Sequence, residues 1–212
     1  MEIRSIPVKD LKEAKAGDIV TYGTYEQDGD YDNGKEAIEW IVLDKQDGKL
    51  LLISRYALAE MSYDYKDEEV TWEKCSLRKW LNGIFVKEAF TDKEIKHIPT
   101  AKVTADKNPK YDTAPGNDTE DQVFLLSILE VEKYFKIKTG DERNCYPTEY
   151  AMITQEFGHD DYFFWWLRSP GQDGDRAVAI QNNVDVRFSC GGLGVGYTYG
   201  CVRPALWVDL ES

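Results

Sequence analysis

Short β-rich segments stand at both ends of this chain, whereas helical periodicity is confined to its middle. Near the start, alternating or β-branched runs at residues 18–25, 38–44 and 49–54 predict strands. After Phe163 the sequence returns to short β-rich runs separated by loops, which predict strands at "FFWWLRS" (163–169), "AVAI" (177–180), "VDVRF" (184–188) and "CVRPALWV" (201–208). Strands at both ends of a chain with helices between them are typical of an α+β fold. We therefore expect an antiparallel sheet in which N- and C-terminal strands are paired.

Residues 76–90 carry the clearest helical signal, because their apolar side chains recur with the spacing of one helix face. Two capping-box patterns, Thr91 with Glu94 and Ser127 with Glu130, predict the starts of two further helices. The apolar residues at positions i, i+3, i+4, i+7 and i+8 of the first helix are Leu77, Trp80, Leu81, Ile84 and Phe85.

The length of the chain indicates how many domains it forms. With 212 residues the chain can bury a full core, and we expect an N-terminal extension at 1–16 and a single domain at 17–212. Residues 105–121, rich in Asp, Asn, Pro and Gly, predict a long surface loop.

A net charge of −13 argues against a nucleic-acid partner. No apolar run has the length of a signal peptide or membrane span, so we expect a cytoplasmic chain without membrane insertion.

The four cysteines are dispersed and form no C-x-x-C motif, which disfavours zinc clusters and disulfide scaffolds. Reduced thiols are the expected state. Cys190 and Cys201 flank a glycine-rich stretch and could meet across a hairpin, so a bond between them stays open.

That glycine-rich stretch, residues 191–200, raises the question of a phosphate-binding loop. Its glycines do not match the G-x-G-x-x-G offsets, because Tyr197 or Tyr199 stands where the third glycine is needed. No G-K-[ST] follows, and Arg203–Pro204 continues as extended chain rather than as a helix. The stretch therefore requires another explanation than nucleotide binding.

Candidate metal and acid–base residues are few. Asp28, Asp30, Asp32 and Glu39 stand at calcium-loop spacing, but Asn33 replaces the essential glycine and strands flank the loop, which favours a solvated hairpin loop. His97 lies in a polar helix and is interpreted as a surface histidine. His159 precedes two aspartates, which leaves a weak metal site or a general base open.

Two aromatic and two basic residues are assigned structural roles. Trp165 and Trp166 are neighbours on a predicted strand, so their side chains point to opposite faces and at least one is expected in the core. Arg168 and Arg203 stand in apolar surroundings, where a guanidinium usually binds loop carbonyls or carboxylates.

Six ordered blocks, among them "TWEKCSLRKWLN", "WWLRSPG" and "VRPALWV", resemble a widespread bacterial domain family with a C-type lectin fold. The blocks extend from about Gly17 to Val208. The resemblance implies a C-type lectin-like α+β domain with helices in the middle of the chain and long loops. Some members of the group resemble the variable proteins of diversity-generating retroelements, which randomise surface residues near the C-terminus to bind new partners.

The resemblance implies that the residues between "WWLRSPG" and "VRPALW" form a ligand-binding surface, most simply for an unknown protein ligand. Retroelement mutagenesis acts on adenines, typically in AAC codons, which cannot yield Lys, Glu, Met, Gln or Trp. Residues 172–203 contain no Lys, Glu, Met or Trp, although Gln172 and Gln181 would have to be unmutated positions. A fixed-sequence relative is the alternative. The predicted binding surface consists of Asp173, Asp175, Arg176, Asn183, Asp185, Arg187, Phe188, Tyr197, Thr198 and Tyr199.

An enzyme is the rival class, because the same fold includes formylglycine-generating and related oxidases. Such chemistry needs a copper-binding cysteine pair or several iron-binding histidines. The chain has two histidines, and Cys190 and Cys201 are its single candidate pair. The alternative hypothesis is therefore a metal- or thiol-dependent enzyme with its site at Cys190, Cys201 and His159. The hypothesis of a binding domain requires no cofactor and no catalytic residue.

Overall fold

The computed structural model describes residues 8–135, 144–152, 163–182 and 190–211, in which groups of strands are separated by groups of short helices. The strands are β1 (Val8–Lys9), β2 (Ile19–Tyr25), β3 (Glu36–Gln46), β4 (Lys49–Ser54), β5 (Ala59–Glu60), β6 (Ala101–Val103), β7 (Thr119–Asp121), β8 (Val123–Phe124), β9 (Phe164–Pro170), β10 (Arg176–Gln181), β11 (Leu193–Gly194), β12 (Cys201–Val202) and β13 (Ala205–Asp209). The helices are α1 (Ser76–Trp80), α2 (Val86–Ala89), α3 (Asp92–Lys96), α4 (Ile128–Tyr134) and α5 (Glu149–Met152).

The three N-terminal strands predicted from alternation are confirmed as β2, β3 and β4, which pair antiparallel in sequence order. They belong to a six-stranded sheet with the order β1-β2-β3-β4-β13-β8. The C-terminal strand β13 pairs antiparallel with β4, with Ala205 opposite Ile53 and Asp209 opposite Lys49. The expected pairing of N- and C-terminal strands is therefore found, with β4 rather than the first strand as the partner.

A second sheet contains most of the C-terminal strands, in the order β11-β10-β9-β12-β5. The run "CVRPALWV", predicted as one strand, is divided between the two sheets. Cys201 lies opposite Trp165 in the second sheet, and the chain enters the first sheet at Ala205. Arg203 and Pro204 form the crossing between the two sheets. Proline has no N–H to donate to a neighbouring strand, so it interrupts the strand here. The predicted strand at 184–188 lies outside the described residues.

The predicted helix at 76–90 is confirmed, but it contains a π-helical turn at Leu81–Phe85 between α1 and α2. Leu77, Leu81 and Phe85 are buried as their spacing predicts, whereas Ile84 is 54% exposed. A π turn has more residues per turn than an α-helix, so positions inside it rotate away from the face that 3.6-residue periodicity assigns to them. Both predicted capping boxes, at Thr91 and Ser127, are formed.

The hydrophobic core joins both sheets and the helices in one cluster. Trp165 and Trp166 are both fully buried, one on each face of β9. The predicted loop at 105–121 runs between β6 and β7, which pair with each other, so its last three residues are a strand. Within the described ranges, none of the helices has the length and apolar character needed to span a membrane.

Candidate binding surface

Strands β10 and β11, together with the residues next to them, form one edge of the second sheet. In the pairing of β10 with β11, Arg176 lies opposite Gly194. The Val195 N–H donates to the Asp175 carbonyl over 2.9 Å. These contacts bring together six members of the predicted binding surface, Asp173, Asp175, Arg176, Tyr197, Thr198 and Tyr199. The other four, Asn183, Asp185, Arg187 and Phe188, lie outside the described residues.

The six described members expose their side chains to solvent wholly or in part. Tyr197 and Tyr199 are 39% and 42% exposed, and their rings meet edge to face with centroids 5.7 Å apart. Partial burial, helped by the charge of Glu60, raises the pKa of Tyr197 above its ordinary value. Arg176 is half-buried and donates from Nη1 to the Gly192 carbonyl over 3.1 Å. The two tyrosines thus form a small, partly exposed aromatic pair.

Two glycines of residues 191–200, Gly192 and Gly200, are required by close packing. Gly192 has a φ of +74°, and a Cβ there would lie 2.5 Å from the Ala177 carbonyl oxygen of the neighbouring strand. Gly200 lies against the Trp166 indole, and a Cβ there would come within 2.0 Å of Nε1. Each glycine therefore allows an approach that a side chain would block. The stretch is a packed connection between strands, which agrees with the sequence argument against a phosphate loop.

An acidic loop, residues 64–69, holds this connection from one side. The Asp64 N–H donates to the Val195 carbonyl over 3.0 Å, and the Gly196 N–H donates to Oδ1 of Asp67 over 3.0 Å. The loop is in turn fixed to helix α1, where the Ser76 N–H donates to the Asp64 carboxylate over 2.7 Å. Its side chains at 65–69 are exposed, and the hydrogen bond from Gly196 places the Asp67 carboxylate next to Tyr197 in the chain.

The loop before β7 holds the same surface from another side, through two side chains. Asn108, nearly buried, donates from Nδ2 to the carbonyls of Pro170 and Cys190, both over 2.8 Å. Thr113 donates its hydroxyl to the Gly171 carbonyl over 2.9 Å. Sequence reasoning treated this segment as solvated loop and missed both residues. The available signal was the density of Asn, Asp and Thr, whose short side chains bind main-chain groups.

Arg168 joins four segments of chain although it is almost fully buried. It donates to the carbonyls of Thr104 and Leu125 over 3.1 and 2.8 Å. Its guanidinium also pairs with Asp106 at 3.3 Å and with the Glu130 carboxylate, which belongs to the second capping box. These are the loop carbonyls and carboxylates that a guanidinium in apolar surroundings requires.

Arg203 is fully buried at the crossing between the two sheets. Its Nε donates to the Ser54 carbonyl at the end of β4 over 2.9 Å. The guanidinium lies over the Trp165 ring at 5.0 Å and over the Phe135 ring at 5.4 Å, which are cation–π distances. On the other face of β9, Trp166 donates its indole N–H to the Met61 carbonyl over 2.9 Å.

All four cysteines are buried as free thiols, and no bond joins Cys190 to Cys201. Burial raises the pKa of Cys75 to about 12. Burial likewise raises the pKa of Cys145 and of Cys201. A thiol becomes a nucleophile or a metal ligand as the thiolate, so these surroundings disfavour the chemistry that the enzyme alternative requires.

The remaining candidates do not form a catalytic arrangement within the described residues. The calcium-like spacing falls on the loop between β2 and β3, as the hairpin interpretation expects, and Glu39 pairs instead with Arg55 at 2.6 Å. Ligand atoms of Glu26, Asp28 and Glu36 lie within 4.8 Å of one another at the base of this loop. His97 ends helix α3 and is half-buried, whereas His159 lies outside the described residues.

Comparison with known proteins gives a family without an assigned activity. A family model described as a domain of unknown function (DUF6273) matches residues 47–210, so the chain belongs to this family. Searches of curated proteins and of solved structures gave no match.

Proposed function

We propose that this DUF6273 member is a binding domain that presents the predicted binding surface to a protein ligand on a C-type lectin-like scaffold. The proposal rests on residues 191–200, where the main chain is held in place while some of the side chains are exposed. The main chain at 191–200 is fixed by neighbouring strands and loops, whereas Tyr197, Thr198 and Tyr199 direct their side chains to solvent. A rigid backbone with replaceable side chains is what a recognition surface needs, because little order has to be gained on binding.

The composition of the surface supports protein recognition. Tyrosine supplies a large contact area with few rotatable bonds, and arginine can make several directed hydrogen bonds, so both are enriched where interface energy is concentrated. Here Tyr197 and Tyr199 form an aromatic pair, Arg176 is partly exposed on the strand paired with β11, and Thr198 adds a small adaptable contact. The exposed carboxylate of Asp67 accepts from the N–H of Gly196, next to Tyr197, and the carboxylate of Asp173 is also exposed. The ligand is therefore expected to carry basic groups, and its association should slow as salt rises.

Diversification by a retroelement is part of the proposal. The absence of Lys, Glu, Met and Trp from residues 172–203 is what adenine-directed mutagenesis would leave. Sequencing the DNA around the gene tests this directly. A reverse transcriptase gene and a near-copy of the codons for residues 165–206 are expected. Their absence would reduce the proposal to a binding domain of fixed sequence.

A stability measurement tests whether the tyrosine pair belongs to the surface or to the core. The double variant Tyr197→Ala/Tyr199→Ala should keep its Tm within about 5 °C of the parent, because both side chains are already substantially exposed. Trp166→Ala, which empties a fully buried site, is the matched aromatic control and should lower the Tm far more. Unfolding of the double variant would place the tyrosines in the core and overturn the proposal.

Crosslinking in the native cell tests binding itself. A photoreactive phenylalanine derivative at position 197 should capture a defined protein, and Tyr199→Ala should abolish the capture. The same group at Leu129, which is 48% exposed on α4, is the control for non-specific labelling. Identical labelling from the two positions would contradict a binding role for this surface.

The thiol-enzyme alternative is tested by the accessibility of the cysteines. Because all four are buried, a thiol reagent at pH 8 should label none of them rapidly in the folded protein and all four after denaturation. Rapid labelling of Cys190 or Cys201 in the folded state would favour the enzyme. Metal analysis of the purified protein, compared with Cys190→Ser, provides the second readout.

A further inference from the structure

We propose that a cavity at the end of β2, lined by none of the residues of the predicted binding surface, binds an organic cation that carries a quaternary ammonium group. One of its lining residues, Glu60, lies close enough to Tyr197 for its charge to act on that side chain. The cavity has a volume of about 470 Å³, within the range of small-molecule sites. Its walls combine the aromatic side chains of Tyr25, Tyr31, Tyr150 and Trp80 with the carboxylates of Glu60 and Glu88. Neither the proposed function nor any sequence motif uses this combination.

The aromatic walls are arranged at angles to one another, as in a cage. The Tyr150 ring meets the Tyr25 ring edge to face at 6.1 Å and the Tyr31 ring edge to face at 6.2 Å. Trp80, which also lines the cavity, is half-buried and packs on Phe85 with ring centroids 5.3 Å apart, so its ring is held in place. Aromatic rings that face a shared space from several directions attract a cation through their quadrupoles.

The position of Tyr150 is set by the main chain, because its N–H donates to the Gln27 carbonyl over 2.9 Å. This bond joins α5 to the loop after β2, so the cage is assembled from segments that are far apart in sequence. Tyr31 is 72% exposed and forms the outer wall. The cage therefore has a fixed inner part and one accessible side chain at its mouth.

The charge of the cavity is complementary to a cation. None of its ten lining residues is a lysine or an arginine. The Lys35 ammonium lies nearby, where it donates to the main-chain carbonyl of Glu88 over 2.7 Å. A hydrogen bond with Tyr31 that favours the protonated hydroxyl of Tyr150, together with burial and the charge of Glu88, raises the pKa of Tyr150 to about 12. Tyr150 thus stays neutral near pH 7, and the acidic residues of the lining are Glu60 and Glu88.

A quaternary ammonium fits these walls better than a primary ammonium. It donates no hydrogen bonds, so it loses less hydration when it enters a space lined by rings, and quaternary ammonium recognition is the established use of aromatic cages. The same group occurs in free small molecules such as choline and in trimethyllysine side chains of proteins. Both sources share the chemistry that the cavity would recognise.

Calorimetric titration of the intact protein with choline chloride tests the proposal. The matched control ligand is 3,3-dimethyl-1-butanol, which has the shape of choline without its charge. Choline should bind at least about tenfold more tightly than this alcohol, because the cation–π and carboxylate attraction is absent from the neutral ligand. Equal affinities, or no heat of binding for choline up to high millimolar concentration, would overturn the proposal.

Two variants assign the binding to this cavity. Tyr31→Leu and Glu88→Gln should each weaken choline binding by about fivefold or more. Tyr65→Leu is the matched control, because Tyr65 is 73% exposed and lies in the acidic loop at 64–69 rather than in the cavity. Choline affinity that is unchanged by Tyr31→Leu and Glu88→Gln would contradict the assignment.

A third titration separates the two sources of the cation. Tighter binding of N-acetyl-trimethyllysine amide than of choline would identify a modified polypeptide, and the reverse order would identify a free small molecule. Both orders support the cage. Choline titration of the intact protein and crosslinking from position 197 are separate measurements, so failure of the predicted binding surface and failure of the cage are distinguishable.

Discussion

The indole of Trp166 covers Gly200 so closely that a Cβ on the glycine would lie 2.0 Å from Nε1. The same indole N–H donates to the Met61 carbonyl, and the Met61 N–H donates to the Gly200 carbonyl over 3.0 Å. One buried side chain and one glycine thus connect β9 to β5 and to the start of β12. The contact fixes the main chain directly beside the exposed tyrosine pair.

Gly200→Ala should therefore destabilise the protein by at least about 2 kcal/mol, because the added methyl group must displace a fully buried indole. Gly83→Ala is the control, since Gly83 lies in the helical segment with open space around its Cα. That variant should be neutral or slightly stabilising, by up to about 1 kcal/mol. Urea unfolding of both variants measures the difference, and similar losses would show that the close approach is not required.

Arg203→Ala should reduce the free energy of unfolding by at least about 2 kcal/mol more than Arg176→Ala. The first variant removes a fully buried guanidinium from its hydrogen bond with Ser54 and from its stacking on Trp165. The second removes a half-exposed side chain with a single described hydrogen bond, to Gly192. Denaturant unfolding at constant m-value is the measurement. Equal effects of the two variants would contradict the division between scaffold and surface.

Stability should fall in alkaline solution because of the buried thiols. The pKa of Cys75 in the folded protein, about 12, lies above the value of about 8.5 in the unfolded chain. The thiol therefore contributes fully to the free energy of unfolding below pH ~8.5, and this contribution is lost as the pH rises towards 12. Between pH ~8.5 and ~10, where unfolded tyrosines are still protonated, each such thiol should lower the free energy of unfolding by about 1.4 kcal/mol per pH unit.

Cys75→Ser isolates this contribution, because it removes the titrating group and keeps a side chain that can cap α1. The variant and the parent should show parallel stability between pH 6 and ~8, and the parent should then fall more steeply. Unfolding curves across this pH range provide the measurement. Identical slopes above pH ~8.5 would mean that the Cys75 thiol ionises in the folded protein as easily as in the unfolded chain.

The sequence by itself determined those strands and helix starts that depend on residues close together in the chain. Alternation predicted β2 and β3, because adjacent side chains of a strand point to opposite faces of a sheet, and a short β-rich run bounded by turn residues predicted β4. Thr91 and Ser127 fixed the starts of α3 and α4, because each capping box satisfies its own main-chain groups within four residues. The α+β class followed from the order of these elements along the chain.

Tertiary structure decided what depends on partners distant in sequence. The π turn before α2 exposes Ile84, and the crossing at Arg203 divides one predicted strand between two sheets. Asn108 and Asp67 hold the predicted binding surface, yet each looks like an ordinary loop residue until its main-chain partner is known. The aromatic cage is assembled from segments more than 100 residues apart. Periodicity and capping operate within a few residues, whereas packing joins residues that only the folded chain makes neighbours.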